Sequence, residues 1–273
     1  MEKKALFLDL DGTLLNDQKQ ITGKNRAAIE AALAQGHHII IATGRPLVSA
    51  AEQAQMLGLT GKGCYLIAFN GCVLYDIAEN EVIFHSTLPM ELLYEIFEEA
   101  NRRRLHIQTY DETSVLVEPR CSDPDVEEYC RRSRMTWKVL PDIRELKRAP
   151  EKALLIHFGT QEPLEEFRGW VEEFAPGKLD SYYSCDEYLE IVNKGINKGN
   201  AIRQMAELLN IPMENTVAAG DAANDISMIR AAHVGVAMQN ATEEVKSAAD
   251  YITEHDNNHD GIAEIIEKFL LLI

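Results

Sequence analysis

Short apolar runs that end in polar residues, separated by stretches of helical spacing, occupy both ends of the chain, and this alternation restricts its fold more than any other feature. The first run, residues 5–10, meets Asp9 and Asp11 and reads as a buried strand. Residues 25–35 have helical spacing, with Gly36 as a C-terminal stop. Residues 38–42 are a second buried strand, after which Pro46 opens a helix that runs towards Leu57 and halts at Gly58. Residues 65–69 form a third strand, Asn70-Gly71 a turn, and residues 73–75 and 82–85 a hairpin. The last third repeats the pattern, with helices predicted over 199–209, 223–232, 241–249 and 260–271 and strands over 216–219, 234–238 and 251–253. Strands alternating with helices specify an α/β fold whose parallel sheet is covered on both faces.

Residues 83–188 have a different texture. Strand-like pieces (106–110, 114–117, 153–158, 179–184) mix with helical ones (90–103, 125–133, 164–174), as in an independent α+β domain. A chain of 273 residues accommodates two domains. The expected organisation is a Rossmann-like core built from residues 1–82 and 189–273, interrupted by an inserted domain at 83–188.

Hydrophobic content of 46% and charged content of 26% are ordinary for a globular protein. The formal net charge of −17 argues against nonspecific binding to nucleic acid or an anionic bilayer, because phosphate surfaces reward clustered Lys and Arg. A small anionic substrate remains compatible, since a bound divalent cation supplies local positive charge. Two basic clusters, Arg102-Arg103-Arg104 and Arg131-Arg132, read as solvated helix ends. Cys64, Cys72, Cys121, Cys130 and Cys185 are scattered and form no CxxC pair, so reduced thiols in a cytoplasmic protein are expected. No run reaches the ~20 apolar residues of a membrane span, and no secretory signal is expected at the start. His255 and His259 are four apart, but their surroundings read as loop, not as a helix presenting two metal ligands.

Four strand or helix ends carry chemistry. Asp9-Leu10-Asp11-Gly12-Thr13 crowds two carboxylates at a strand terminus, where α/β sheets gather ligands. Such crowding is costly unless a cation or a proton relieves it. Taken alone, the segment equally fits a turn or part of a calcium loop. Thr43-Gly44-Arg45 follows the second strand with a hydroxyl, a glycine and a helix start, a natural anion cradle that is also a common connection. Asn197-Lys198-Gly199 opens a helix with a cation. Gly220-Asp221-Ala222-Ala223-Asn224-Asp225 ends another strand with oxygen ligands of the kind that suit Mg2+. Each signal is weak alone; their order on successive strand ends is what carries weight.

Together these four motifs resemble those of the haloacid dehalogenase-like hydrolase superfamily, essentially end to end. The pattern is closest to the Cof-type phosphatases, whose cap domain lies between the second and third motifs. Asn70-Gly71, the stretch from Gly235 to Met238 with Asn240-Ala241, and Asp260-Gly261 also resemble that subgroup. Gln239 stands where a glycine is common, and Ala222-Ala223 replaces a more polar pair.

The resemblance implies a Mg2+-dependent phosphohydrolase. Asp9 is the nucleophile that becomes an aspartyl-phosphate, and Asp11 is general acid and then general base. Leu10, Thr43, Gly44, Lys198 and Asn224 bind the phosphoryl group, while Asp9, Asp221 and the backbone carbonyl of Asp11 hold the metal. Thr13 and Asp225 support that set from behind. Arg45, Asn70, Tyr183, Ser184 and Glu190 are candidates to border the leaving group, and the middle domain is expected to close over the site. The implied partner is a small phosphorylated metabolite, with sugar phosphates ahead of pyridoxal phosphate and flavin mononucleotide. Neither nucleic acid nor membrane is expected as a partner, and the chain is expected to be a monomer or a weak homo-oligomer. A sugar phosphomutase and a non-catalytic phosphometabolite-binding protein are the competing readings.

Overall fold

A computed structural model describes residues 2–119 and 124–271. In chain order it contains β1 (Ala5–Leu8), α1 (Gly23–Ala34), β2 (His38–Ala42), α2 (Leu47–Met56), β3 (Cys64–Ala68), β4 (Val73–Asp76) and β5 (Glu81–His85). There follow α3 (Met90–Arg103), β6 (His106–Tyr110), β7 (Ser114–Val117), α4 (Pro124–Ser133), β8 (Thr136–Val139), β9 (Lys152–Ile156), α5 (Glu162–Phe174), β10 (Leu179–Cys185) and β11 (Tyr188–Asn193). The chain ends with α6 (Lys198–Leu208), β12 (Thr216–Gly220), α7 (Ile226–Ala231), β13 (Val234–Ala237), α8 (Glu243–Ala248), β14 (Tyr251–Ile252) and α9 (Gly261–Ile266).

Two compact units emerge. One comprises the residues up to Gly44, Ala50–Phe84 and those from Asn197 onward; the other comprises Arg45–Ser49 and His85–Ile196. The second unit therefore continues past residue 188, where the sequence reading returned the chain to the core. The cause is β11, a strand not anticipated from sequence, which pairs antiparallel with both β10 and β9.

The first unit is built on a sheet of order β14-β13-β12-β1-β2-β3-β4-β5. The strands from β14 to β3 run parallel, and β4 returns antiparallel to β3. Ala5 is the register partner of both Thr216 on β12 and His38 on β2, so β1 lies inside the sheet. Every β1 side chain is fully buried. Phe7 joins Ile40, Ala218, Ile202 and Met205 in one cluster beneath α6, while Leu6 and Leu8 alternate to the other face. Fully burying a side chain of this size contributes about 1.5–3 kcal/mol. The Thr22 hydroxyl starts α1 by accepting the Asn25 N–H at 3.3 Å, and the Asn197 side chain starts α6 by accepting the Asn200 N–H at 2.9 Å.

Local chemistry moves some boundaries. The helix expected over 223–232 begins as a 3-10 turn, Ala223–Asp225, because the Asp225 carboxylate turns back to accept the N–H groups of Asp221 and Ala222 at 3.0 and 3.1 Å. The closing helix ends as a π-helical turn, Glu267–Leu271.

The second unit has a sheet of order β10-β11-β9-β6-β7-β8, antiparallel except for the parallel β7–β8 pair. Leu93, Ile96, Phe97 and Ala100 form the buried stripe of α3, and Leu164, Phe167 and Val171 that of α5. The edge strand β8 was also not anticipated, since its mostly exposed side chains carry no apolar alternation. The basic clusters are partly compensated locally: Arg102 and Arg103 share Glu99, and Arg131 and Arg132 share Glu128. Cys64, Cys72, Cys130 and Cys185 are not in disulfides, while Cys121 lies outside the described residues. No helix among the described residues is long and apolar enough to cross a membrane.

Candidate active site

Parallel pairing brings the C-terminal ends of β1, β2, β3 and β12 to one edge of the first unit's sheet. The Asp9 N–H extends the β1–β12 ladder to Ala219 O at 3.0 Å, so Asp9 emerges beside the segment Gly220-Asp221. Thr43 leaves β2 beside β3, its N–H donating to Ile67 O at 2.8 Å, and its carbonyl accepts the Asn70 N–H at 2.9 Å. Asn70 has φ +55° and is 1% exposed. Gly44 faces it closely: a Cβ there would sit 3.0 Å from Asn70 Nδ2. Asn224 Nδ2 in turn donates to Asn70 Oδ1 at 3.4 Å.

Lys198 is the first residue of α6 and is 1% exposed. Its ammonium donates to Asp9 Oδ1 at 2.5 Å and to Asp225 Oδ1 at 2.6 Å. A cation at the start of a helix faces the unfavourable end of the helix dipole, so these two carboxylates are what hold it there. Burial alone would lower its pKa, but Asp225 and Asp9 outweigh that and keep Lys198 above the ordinary lysine range.

Oxygens of Asp9, Asp221 and Asp225 lie within 4.8 Å of one another. Three carboxylates thus crowd around one ammonium, and the surplus negative charge acts on Asp9 and Asp221. Burial, then the Asp225 carboxylate, push Asp9 well above the usual carboxylate range, despite the opposing pull of Lys198. Burial first, with Asp225 adding repulsion, raises Asp221 to about 6, although its hydrogen bond from Thr13 works the other way.

Asp225 is fully engaged, with Oδ1 on Lys198 and Oδ2 on two backbone N–H groups. Asp9 and Asp221 each have one oxygen engaged, by Lys198 and by the Thr13 hydroxyl at 2.7 Å respectively. A hard divalent cation fits this donor set, because it takes carboxylate oxygens and offsets the excess charge.

The loop after Asp9 is shaped around Asp221. Gly12 has φ +86°, and a Cβ there would lie 2.4 Å from Asp221 Oδ2, so a side chain at this position would strain the backbone and displace Asp221. Asp11 follows fully buried Leu10, and its carboxylate, 39% exposed, accepts from Lys19 at 2.8 Å.

Of the sequence-selected residues, Asp9, Leu10, Asp11, Thr13, Thr43, Gly44, Asn70, Lys198, Asp221, Asn224 and Asp225 all belong to the first unit. Arg45, Tyr183, Ser184 and Glu190 belong to the second. Glu190, offered as a substrate contact, is 3% exposed and bonded to the ammonium of Lys152 at 2.9 Å, so its carboxylate serves an ion pair within that unit. His255 and His259 each meet a carboxylate, Glu264 and Asp256, instead of converging on a shared point. Lys19 and Asn257 had no signal in the sequence, since each contacts its target through loop geometry. Asn240 stood out only by resemblance, and nothing local to it indicates that it reaches Gly12.

Residues 6–266 match the haloacid dehalogenase-like hydrolase family. The chain belongs to the haloacid dehalogenase-like hydrolases. Within this family it is 33% identical to the 5-amino-6-(5-phospho-D-ribitylamino)uracil phosphatase YcsE of Bacillus subtilis, over 98% of this chain and 96% of that one. A haloacid dehalogenase-like hydrolase from Bacteroides thetaiotaomicron superposes with a TM-score of 0.87 and 32% identity, covering 98% and 99% of the two chains. A solved structure described as the subclass IIB sugar phosphatase BT4131 gives a TM-score of 0.80 at 28% identity, covering 98% and 99%. This haloacid dehalogenase-like hydrolase therefore has relatives named as phosphatases, and its parallel-sheet α/β core is that of the family.

Proposed function

We propose that the chain is a Mg2+-dependent phosphatase that hydrolyses a phosphomonoester of a polyhydroxylated metabolite through an aspartyl-phosphate on Asp9. The observation that carries this reading is the buried ammonium of Lys198 bridging Asp9 and Asp225, with Asp221 alongside. The bridge orients the Asp9 carboxylate that is to act as nucleophile. The substrate class rests on two relatives whose names place phosphate on a ribityl chain and on a sugar.

In the first displacement an Asp9 oxygen forms a bond to phosphorus and the ester P–O bond breaks. The Asp11 carboxyl gives its proton to the departing alkoxide, which leaves as an alcohol. In the second, Asp11, now a carboxylate, takes a proton from water as the water oxygen bonds to phosphorus. The P–O bond to Asp9 breaks, releasing inorganic phosphate and regenerating the Asp9 carboxylate. Lys198, Thr43 and the Gly44 N–H hold the phosphoryl oxygens on which negative charge accumulates, with Leu10 contributing main chain and Asn224 positioned by Asn70. A Mg2+ held by Asp9, Asp221 and the Asp11 main-chain carbonyl would offset the repulsion between nucleophile and phosphate. Thr13 orients Asp221, and Asp225 orients Lys198.

Phosphate release from a panel of sugar and polyol phosphates, with Mg2+ and then with EDTA, tests the reading. Turnover is expected only with the metal. Asp9→Asn is expected to lower it by at least about 1,000-fold, the scale on which loss of a covalent nucleophile acts, while the chain remains folded by circular dichroism. Near-native turnover in Asp9→Asn removes the nucleophile assignment, and isomerisation of a sugar phosphate without phosphate release replaces hydrolysis by a mutase.

A further inference from the structure

The Asp11 carboxyl has to deliver a proton along a defined direction, yet the next residue, Gly12, is the one with the greatest backbone freedom. A stiffer residue in place of Gly12 would set its Cβ against Asp221. Lys19, from the same loop, meets the Asp11 carboxylate at 2.8 Å, and the peptide at Gly12 is restrained by further contacts. On one side the Thr13 hydroxyl is bonded to Asp221 at 2.7 Å. On the other, Asn240 Nδ2 donates to the Gly12 carbonyl at 2.8 Å. Asn240 follows β13 and is exposed, and a freely rotating surface amide would gain little from such a bond. It is oriented, because its Oδ1 accepts the Asn257 N–H at 3.1 Å.

Asn257, 5% exposed, uses its side chain for the far end of the same loop, donating from Nδ2 to Leu15 O at 2.9 Å. Between these two anchor points the loop closes on itself, with Leu14 N–H on Asp9 O at 3.2 Å and Leu15 N–H on Leu10 O at 2.9 Å. Two asparagines, one after β13 and one after β14, thus grip both ends of the segment that carries Asp11.

We propose that Asn240, oriented by the Asn257 main chain, is a positioning residue for the Asp11 carboxyl. It touches neither substrate nor phosphate. It holds the Gly12–Thr13 peptide so that the Asp11 acid points at the leaving oxygen. The assignment rests on the acid–base role given to Asp11 above.

A general acid matters most when the leaving group is poor. Asn240→Ala and the isosteric Asn240→Asp, neither of which can donate to Gly12 O, are compared with the unmodified chain by kcat/KM on phenyl phosphate and 2,4-dinitrophenyl phosphate. Both variants are expected to lose roughly 10-fold to 100-fold on phenyl phosphate, the scale of a misplaced catalytic group, and less than about threefold on the dinitrophenyl ester, whose departure needs no proton. In an Asp11→Asn background, Asn240→Ala is expected to add no further loss on phenyl phosphate, because the carboxyl it positions is gone. Equal losses on the two esters, a multiplicative loss in the Asp11→Asn background, or no loss at all overturns the assignment. Thermal unfolding of each variant separates misfolding from misplacement, and the exposed site of Asn240 keeps the first small. Unaffected Asn240 variants beside an inert Asp9→Asn overturn this inference and leave hydrolysis standing. An unmodified chain inert on both esters and on the metabolite panel overturns both.

Discussion

Among the described residues Lys198 pairs with buried Asp9 and Asp225 while half-buried Asp221 lies alongside, and this excess of carboxylates governs how the candidate site responds to pH. Asp221 is the group with the clearest consequence. Its carboxyl sits at about 6 in the fold, against 3.8 for an ordinary aspartate. A raised carboxyl favours the folded state while protonated, so this contribution is complete below about pH 4 and lost as pH rises through about 6. A divalent cation that needs the deprotonated form acts in the opposite direction. The apparent Mg2+ dissociation constant, measured by isothermal titration, is therefore expected to rise by up to about tenfold per pH unit below about 6, the slope for release of one proton on binding. The gain in Tm on adding Mg2+ is expected to be larger at pH 7.5 than at pH 5. A pH-independent Mg2+ affinity between these values would remove Asp221 from the metal site.

Among the elements, β11 carries a buried charge that is tolerated only because a partner on β9 compensates it. Glu190 on β11 meets Lys152 on β9, with side chains 4% and 1% exposed. Removing one partner of a buried pair leaves the other charge uncompensated, at a cost of about 3–5 kcal/mol, whereas replacing both with neutral side chains of similar size is often neutral. Lys152→Met is expected to destabilise by that amount in urea unfolding, and Lys152→Met with Glu190→Gln to recover most of it. A double variant no more stable than the single one would mean that the pair itself, and not relief from an unpaired charge, holds the strand. The apolar elements need no such device. The runs that became β1, β2 and β12 are buried on both faces, so their composition alone marks them as interior strands.

Across the whole molecule the formal charge of −17 is spread over a chain that must still fold compactly. Self-repulsion of that size opposes the compact state and is screened by salt. Raising KCl from about 20 to about 200 mM at pH 8 and fixed Mg2+, where the Debye length shrinks from roughly 20 to 7 Å, is expected to raise Tm by calorimetry; an unchanged Tm would mean that local pairs such as Arg102 and Arg103 with Glu99 already absorb the repulsion. The alternation of buried runs and helical spacing determined by itself the parallel core, the interruption by an α+β unit and the residues at the strand ends, because burial period, glycine and proline act over a few neighbours. Sequence could not decide that Lys198 binds Asp9 and Asp225 together, that Glu190 is spent on Lys152, or that Asn240 reaches Gly12. Those contacts join residues 189, 27, 38 and 228 positions apart, and they exist only because strand order and register bring distant loop ends to the same place.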